Sequence, residues 1–233
     1  MRQPVKVKVK VKVKVKVKVK VKVKVKVKVK VKVKVKVKVK VKVKVKVKPN
    51  SDTELKKLTT EEMHRLTVDE FRASKKLPLT VVLDNVRSLN NIGSVFRTAD
   101  AFRVEHIALC GITATPPHRE IHKTALGAEE SVEWSHQDDT VQCIGGLKAR
   151  GYKVYAVEIA HDSIKLGRDS IACDGPVAVV FGNEIDGVQE EVMELCDGFI
   201  EIPQQGTKHS LNVSCAAAII IWEMFKIIKA NTI

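Results

Sequence analysis

Residues 176–184 read PVAVVFGNE: five apolar residues in succession, closed by a glycine, an amide and an acid. A strand with one wet face alternates apolar and polar residues, whereas a run that is apolar at every position belongs to a strand covered on both sides. Working outward, LTVVLDN (79–85) and EHIALCG (105–111) have the same character, and YKVYAVEIA (152–160) and GFIEIPQ (198–204) are further strands. Helical spacing fills the gaps. Ile92, Val95, Phe96 and Ala99 share one face of 91–103, TVQCIGGLKARG (140–151) ends at a glycine, QEEVMELC (189–196) is a short helix, and 210–229 is a long last helix. The segment 112–134 is a polar loop with a Pro-Pro break and room for a short helical stretch. Strands that alternate with helices predict an α/β domain, a mostly parallel sheet flanked by helices.

Ahead of this domain the composition changes. Residues 5–48 are 22 uninterrupted Val-Lys repeats, which hold 22 of the 42 Lys and Arg. The remaining 20 basic residues face 27 Asp and Glu, so the formal +15 of the whole chain hides a net −7 elsewhere. A nucleic-acid argument from overall charge therefore fails. At ~3.3 Å per residue a single strand of this length would run about 145 Å, longer than any ordinary domain. The tract reads as an artificial or placeholder segment, as a solvated cationic tail, or as a β element, in that order, and is non-globular. Three parts follow: the repeat tract at 1–48, a charged helical extension at 49–78 that Thr59 or Thr60 could cap, and a single domain at 79–233. No apolar run is long enough for a membrane span or a signal peptide core. Five cysteines without a C-x-x-C pair predict a reduced, cytoplasmic protein with buried thiols.

In open α/β sheets ligands bind where strands end, and three strand ends here carry unusual residues. One is Asn91-Ile-Gly-Ser-Val-Phe-Arg97. The second is Phe181-Gly182-Asn-Glu184-Ile-Asp-Gly187. The third is Ile202-Pro203, followed by Ser210-Leu211-Asn212-Val-Ser214. In this order and at these spacings they closely resemble the three motifs of the SpoU/TrmH family of RNA ribose 2′-O-methyltransferases, in the SPOUT superfamily. The resemblance covers about residues 79–225.

The resemblance implies a C-terminal trefoil knot, a rare exception to the rule that chains do not thread. It implies S-adenosylmethionine (AdoMet) as cofactor, a homodimer with the site near its interface, and RNA as substrate, tRNA favoured over rRNA because the chain is compact. Gly182, Ile202 and Leu211 become the cofactor positions. The glycine would let backbone approach the ligand, since it lacks a Cβ, and the other two would supply backbone groups and apolar walls. Arg97 becomes the central catalytic residue. Its guanidinium stays protonated, so it suits gripping a phosphate and stabilising charge on the 2′ oxygen. Asn91 and Asn212 would orient the polar network, Ser210 would touch the hydroxyl or a phosphate, and Glu184 would hold Arg97 or another polar part of the site. Ser210 and Asn212 could also cap the last helix.

His118, Arg119 and Lys123 concentrate positive charge in an otherwise acidic domain and form the candidate RNA edge. No metal is expected, because His209 has no second ligand at short spacing. Two other readings stay open: a catalytically silent RNA-binding or assembly factor on the same fold, and a related enzyme that methylates a base nitrogen. The first would lack AdoMet binding; the second would differ in the atom methylated.

Overall fold

The computed structural model describes residues 57–59 and 61–230. The Val-Lys tract and residues 53–56 and 60 of the expected helical extension lie outside the described residues. Within the extension, residues 61–64 form a turn, and the helix α1 is confined to Val68–Ala73. Thr67 caps it in a reciprocal capping box with Glu70. Among the described residues of 57–76, α1 is the one helix, and only Phe71 of its residues is buried.

The strands are β1 (Leu77–Asp84), β2 (Val104–Cys110), β3 (Glu133–Gln137), β4 (Lys153–Val157), β5 (Ile164–Lys165), β6 (Val177–Phe181) and β7 (Gly198–Glu201). They form one sheet in the order β3-β2-β1-β6-β4-β7-β5. Every pairing is parallel. The register runs Val81–Val179 and Leu83–Phe181 between β1 and β6, and Tyr155–Val179 between β4 and β6. The helices are α2 (Leu89–Ala101), α3 (Arg119–Ala125), α4 (Ala128–Ser131), α5 (Thr140–Ala149), α6 (Glu190–Met193) and α7 (Val213–Ala230).

The doubly apolar strands are explained by two cores, one on each face. Leu79, Val81, Leu83, Ile107, Leu109, Val179 and Phe181 point to one side and pack with Ile92, Val95 and Phe96 of α2 and Ile220, Ile221 and Met224 of α7. Their neighbours Val82, Ala108, Ala156, Ala178 and Val180 point to the other and meet Cys143, Ile144 and Leu147 of α5 and Val192 of α6. The bulkier side chains collect under α2 and α7. Of the cysteines, Cys110, Cys143 and Cys173 are buried, Cys196 is half-buried and Cys215 is exposed.

The chain does not fill the sheet in order. It lays β1, β2 and β3 outward in one direction, then returns for β4 and β5 beyond an open place beside β1. β6 later occupies the place between β1 and β4, and β7 the place between β4 and β5. The connection after β1 leads one way along the sheet and that after β6 the other, so the crevice between their C-terminal ends is a topological switch point. β3, sequence EWSHQ, begins inside the stretch that reads as a polar loop, and β5 falls where the sequence assigns no element. Both are edge strands whose residues are exposed or half-buried, so neither carries an apolar signal. No helix among the described residues is long and apolar enough to cross a membrane.

Candidate active site at the strand ends

The site starts at the end of β1. Asp84 is fully buried and accepts from Thr140 Oγ1 (2.7 Å), Asn85 Nδ2 (2.9 Å) and the Gln189 amide (3.0 Å). Asn85 Nδ2 also donates to Gln189 Oε1 at 2.8 Å. This ties the far end of the β6–α6 loop back to β1. Four residues on, Ser88 caps α2 by accepting from the Asn91 amide, which leaves the Asn91 side chain in the crevice.

The loop after β6 is a tight turn. Asn183 Oδ1 accepts from the amides of Ile185 (2.8 Å) and Asp186 (2.9 Å), and Asn183 and Gly187 pair through their backbones. A Cβ on Gly182 would lie 1.9 Å from the Gly187 carbonyl carbon and 2.1 Å from the Val188 nitrogen. Gly182 is therefore required by its own loop folding back on it; the sequence reading had attributed the glycine to the approach of a ligand. Gly187 has φ +74°, in the left-handed region that glycine enters freely.

Glu184 sits at the tip of this turn and reaches across the crevice. It accepts from Asn91 Nδ2 at 2.8 Å and from the amides of Arg87 and Ser88, both at 3.3 Å. Asn91 Oδ1 accepts in turn from Asn212 Nδ2 at 3.1 Å. Asn212 Oδ1 accepts from the Ser214 amide (2.9 Å) and hydroxyl (2.6 Å) at the start of α7. One continuous line of hydrogen bonds thus joins all three segments. Burial pushes the Glu184 carboxyl up, but donation from Asn91, its own amide, Arg87 and Ser88 outweighs it and holds the group below the usual range.

Beside this line opens a cavity of about 600 Å³. Gly182, Ile202, Leu211, Ser210, Glu184 and Asn212 all line it, together with Glu158, Asp186 and His209, so six of the expected residues meet there. Others do not. Arg97 is exposed on α2, six residues beyond Asn91 or about 9 Å along the axis, and pairs with no acid among the described residues. Glu184 holds Asn91 and two backbone amides, not Arg97. His118, Arg119 and Lys123 lie on α3, away from the cavity lining. His118 caps α3 by accepting from the Glu120 amide, and Lys123 is 3.6 Å from Glu120. Of the two proposed caps of the last helix, Asn212 serves and Ser210 does not. Glu158 and Asp186 have no role in the sequence reading, and Ser214 enters it only as the end of the third motif. For Glu158 the signal existed, since KVYAVE ends an apolar strand on an acid just as VAVVFGNE does. Among the described residues no group of three or more His, Cys, Asp or Glu side chains could hold a metal ion.

A parallel α/β sheet with a polar line across its switch point and a cavity at its strand ends defines a ligand-binding α/β protein of the enzyme type. Residues 78–222 match the model of the SpoU rRNA Methylase family, and the chain belongs to that family. It is 36% identical over 164 residues to a tRNA (guanosine(18)-2′-O)-methyltransferase of Thermus thermophilus, covering 70% of this chain and 81% of that protein. Its fold resembles the A. aeolicus TrmH/SpoU tRNA modifying enzyme with a TM-score of 0.63 and 27% identity, over 71% of this chain and 84% of that one. It also resembles an AdoMet-bound rRNA methyltransferase from Sinorhizobium meliloti, with a TM-score of 0.59 and 28% identity, over 67% of this chain and 60% of that one.

Proposed function

We propose that the chain transfers a methyl group from AdoMet to a ribose 2′-hydroxyl of RNA, and that the RNA is a tRNA. The observation that carries this reading is the Glu184–Asn91–Asn212 line at the mouth of the cavity. Similarity to the Thermus and A. aeolicus proteins supports tRNA. The cavity fits the cofactor. Ile202, Leu211, Val157 and Ile185 offer aliphatic walls for a flat base, and Glu158, Glu184 and Asp186 offer negative charge to a cationic ligand.

AdoMet supplies, when bound, a methyl group made electrophilic by its sulfonium. Gly182, Ile202 and Leu211 hold it. Asn91 and Asn212 orient the polar groups at the reacting end, and Ser210 contacts the hydroxyl or a neighbouring phosphate. Glu184 is a positioning residue: a carboxylate held below the usual range and shared among three donors is a weak base. Arg97 grips the phosphate beside the target ribose and stabilises charge growing on the 2′ oxygen. Its exposed guanidinium, with no acid paired to it among the described residues, suits that role. His118, Arg119 and Lys123 contact phosphates farther along the RNA.

The order in which β6 and β7 enter the sheet supports a C-terminal trefoil knot. Exposed Ile219 and Trp222 on α7 support a homodimer, and the mostly buried cysteines support a cytoplasmic setting. In this reading residues 79–233 are the catalytic domain, 49–78 an extension, and 1–48 a non-globular tract dispensable for the chemistry.

The test is methyl transfer. The protein is incubated with labelled AdoMet and, separately, unmodified tRNA and rRNA, and the RNA is digested to nucleosides for mass spectrometry. A 2′-O-methylated nucleoside from tRNA is expected. Label from rRNA alone would move the substrate, a methylated base nitrogen would move the reaction, and undetectable AdoMet binding would leave a silent RNA-binding factor.

A further inference from the structure

Glu158 follows β4 directly, and its half-buried carboxylate forms part of the cavity wall. Oε1 accepts from the Ile159 amide at 2.9 Å, and Oε2 is 3.5 Å from the Val188 amide. The turn that carries Glu184 is bare where it passes this carboxylate: a Cβ on Gly187 would lie 2.4 Å from Glu158 Oε2. Two backbone contacts hold the group in place, yet no cation is paired with it among the described residues. An ionised carboxylate offers about four acceptor directions, so about two remain for a ligand.

Position narrows what that ligand group is. The reacting end lies at the β1–β6 crevice, where Asn91, Glu184 and Asn212 meet. β4 lies on the other side of β6. Glu158 therefore faces a part of the ligand other than the one presented to Asn91. A carboxylate with one spare acceptor direction on each oxygen matches two neighbouring O–H donors, as a vicinal diol presents them.

We propose that Glu158 binds the cofactor by accepting from the two hydroxyls of its ribose. This rests on the AdoMet reading above. Glu158 is a binding residue with no part in moving the methyl group or the proton.

The test is calorimetric binding of AdoMet, S-adenosylhomocysteine, 5′-methylthioadenosine and 2′-deoxy-5′-methylthioadenosine to the full chain, as wild type, Glu158→Gln and Glu158→Ala. The expected result is that Glu158→Ala weakens the three ribose-bearing ligands by one common factor, about tenfold or more for lost hydrogen bonds to a charged group. Wild type should prefer methylthioadenosine over its 2′-deoxy form, and Glu158→Ala should bind the two alike. Glu158→Gln keeps one acceptor oxygen and should fall between, which controls for misfolding of the alanine variant. Wild-type affinity of both variants for methylthioadenosine would overturn the proposal. So would a loss confined to AdoMet, which would make the carboxylate a partner of the sulfonium charge. Failure of wild type to bind any of the four would overturn the cofactor reading itself.

Discussion

Two loops wall the same cavity and are built in opposite ways. Between Gly182 and Gln189 the chain is tied throughout its length: Asn183 bridges Gly187 and caps the turn, Glu184 takes three donors from the β1 end, and Gln189 is held by Asp84 and Asn85. Between Pro203 and Leu211 every residue is exposed and none makes a hydrogen bond among the described residues. The first wall is shaped by folding and meets a ligand with little left to order. The second has no such ties, and fixing it against a ligand would draw on binding energy. One wall of the cavity is thereby preorganised and the other adaptable.

The sharpest way to break this contrast is to disturb the tied loop. Gly182→Ala puts a Cβ against backbone that cannot swing aside. It should cost ~3 kcal/mol of stability and abolish AdoMet binding, read by thermal unfolding and calorimetry; an unchanged midpoint would mean that the turn is looser than described. Arg97→Ala touches neither loop. It should keep the fold and AdoMet affinity while lowering methyl transfer about 10²–10³-fold, the scale of a lost transition-state charge partner. Wild-type-like turnover would remove Arg97 from the chemistry.

Asn91→Ala cuts the line between the tied loop and Asn212 and strips Glu184 of its shortest bond. Hydrogen bonds to a charged group are worth ~1.5–3 kcal/mol, and the loss should appear in kcat more than in stability. The pH dependence of Glu184 is smaller and has a fixed sign. Its folded-state pKa is lowered from 4.5, so its contribution is complete above that value and is lost only as pH falls through the depressed one. AdoMet affinity should therefore hold down to about pH 4.5 as far as this group governs it, and Glu184→Gln should remove the acid-side decline. Smallest of all is Gly206→Ala in the untied loop, where an added Cβ meets nothing within 4 Å. Stability should move by less than ~0.5 kcal/mol; a larger loss would show that this loop is held after all.

The sequence made the central strands legible because both of their faces are buried, and two cores of different side-chain size confirm why VAVVF and TVVLD never alternate. It hid β3, whose EWSHQ is half-solvated at an edge, and it read as helix the described residues 61–67 ahead of α1, because charged residues at helical spacing do not by themselves bury a face. At the site, Asn91, Glu184 and Asn212 were readable from their motifs, and their meeting is explained by the switch point. Which atoms they hold was not readable. Of the two partners expected for Glu184, Arg97 or another polar part of the site, the carboxylate takes the second, a carboxamide and two amides close by. The asparagine that starts α7 was expected; the idleness of Ser210 was not.

The order of strand insertion has a consequence for biosynthesis. As the chain leaves a ribosome, β1, β2 and β3 can zip together at once, but β4 emerges with neither of its sheet neighbours yet made. Every residue lining the cavity lies between Val157 and Ala216, so the pocket does not exist until the last third of the chain has been delivered. Until residues 177–181 arrive, β1 and β4 each present an open strand edge, the kind of edge that templates pairing with another chain. A nascent molecule stalled after β4 would carry three paired strands, an unguarded edge on β1, both edges of β4 open and no capacity for its cofactor, and this interval is where a chaperone would matter most.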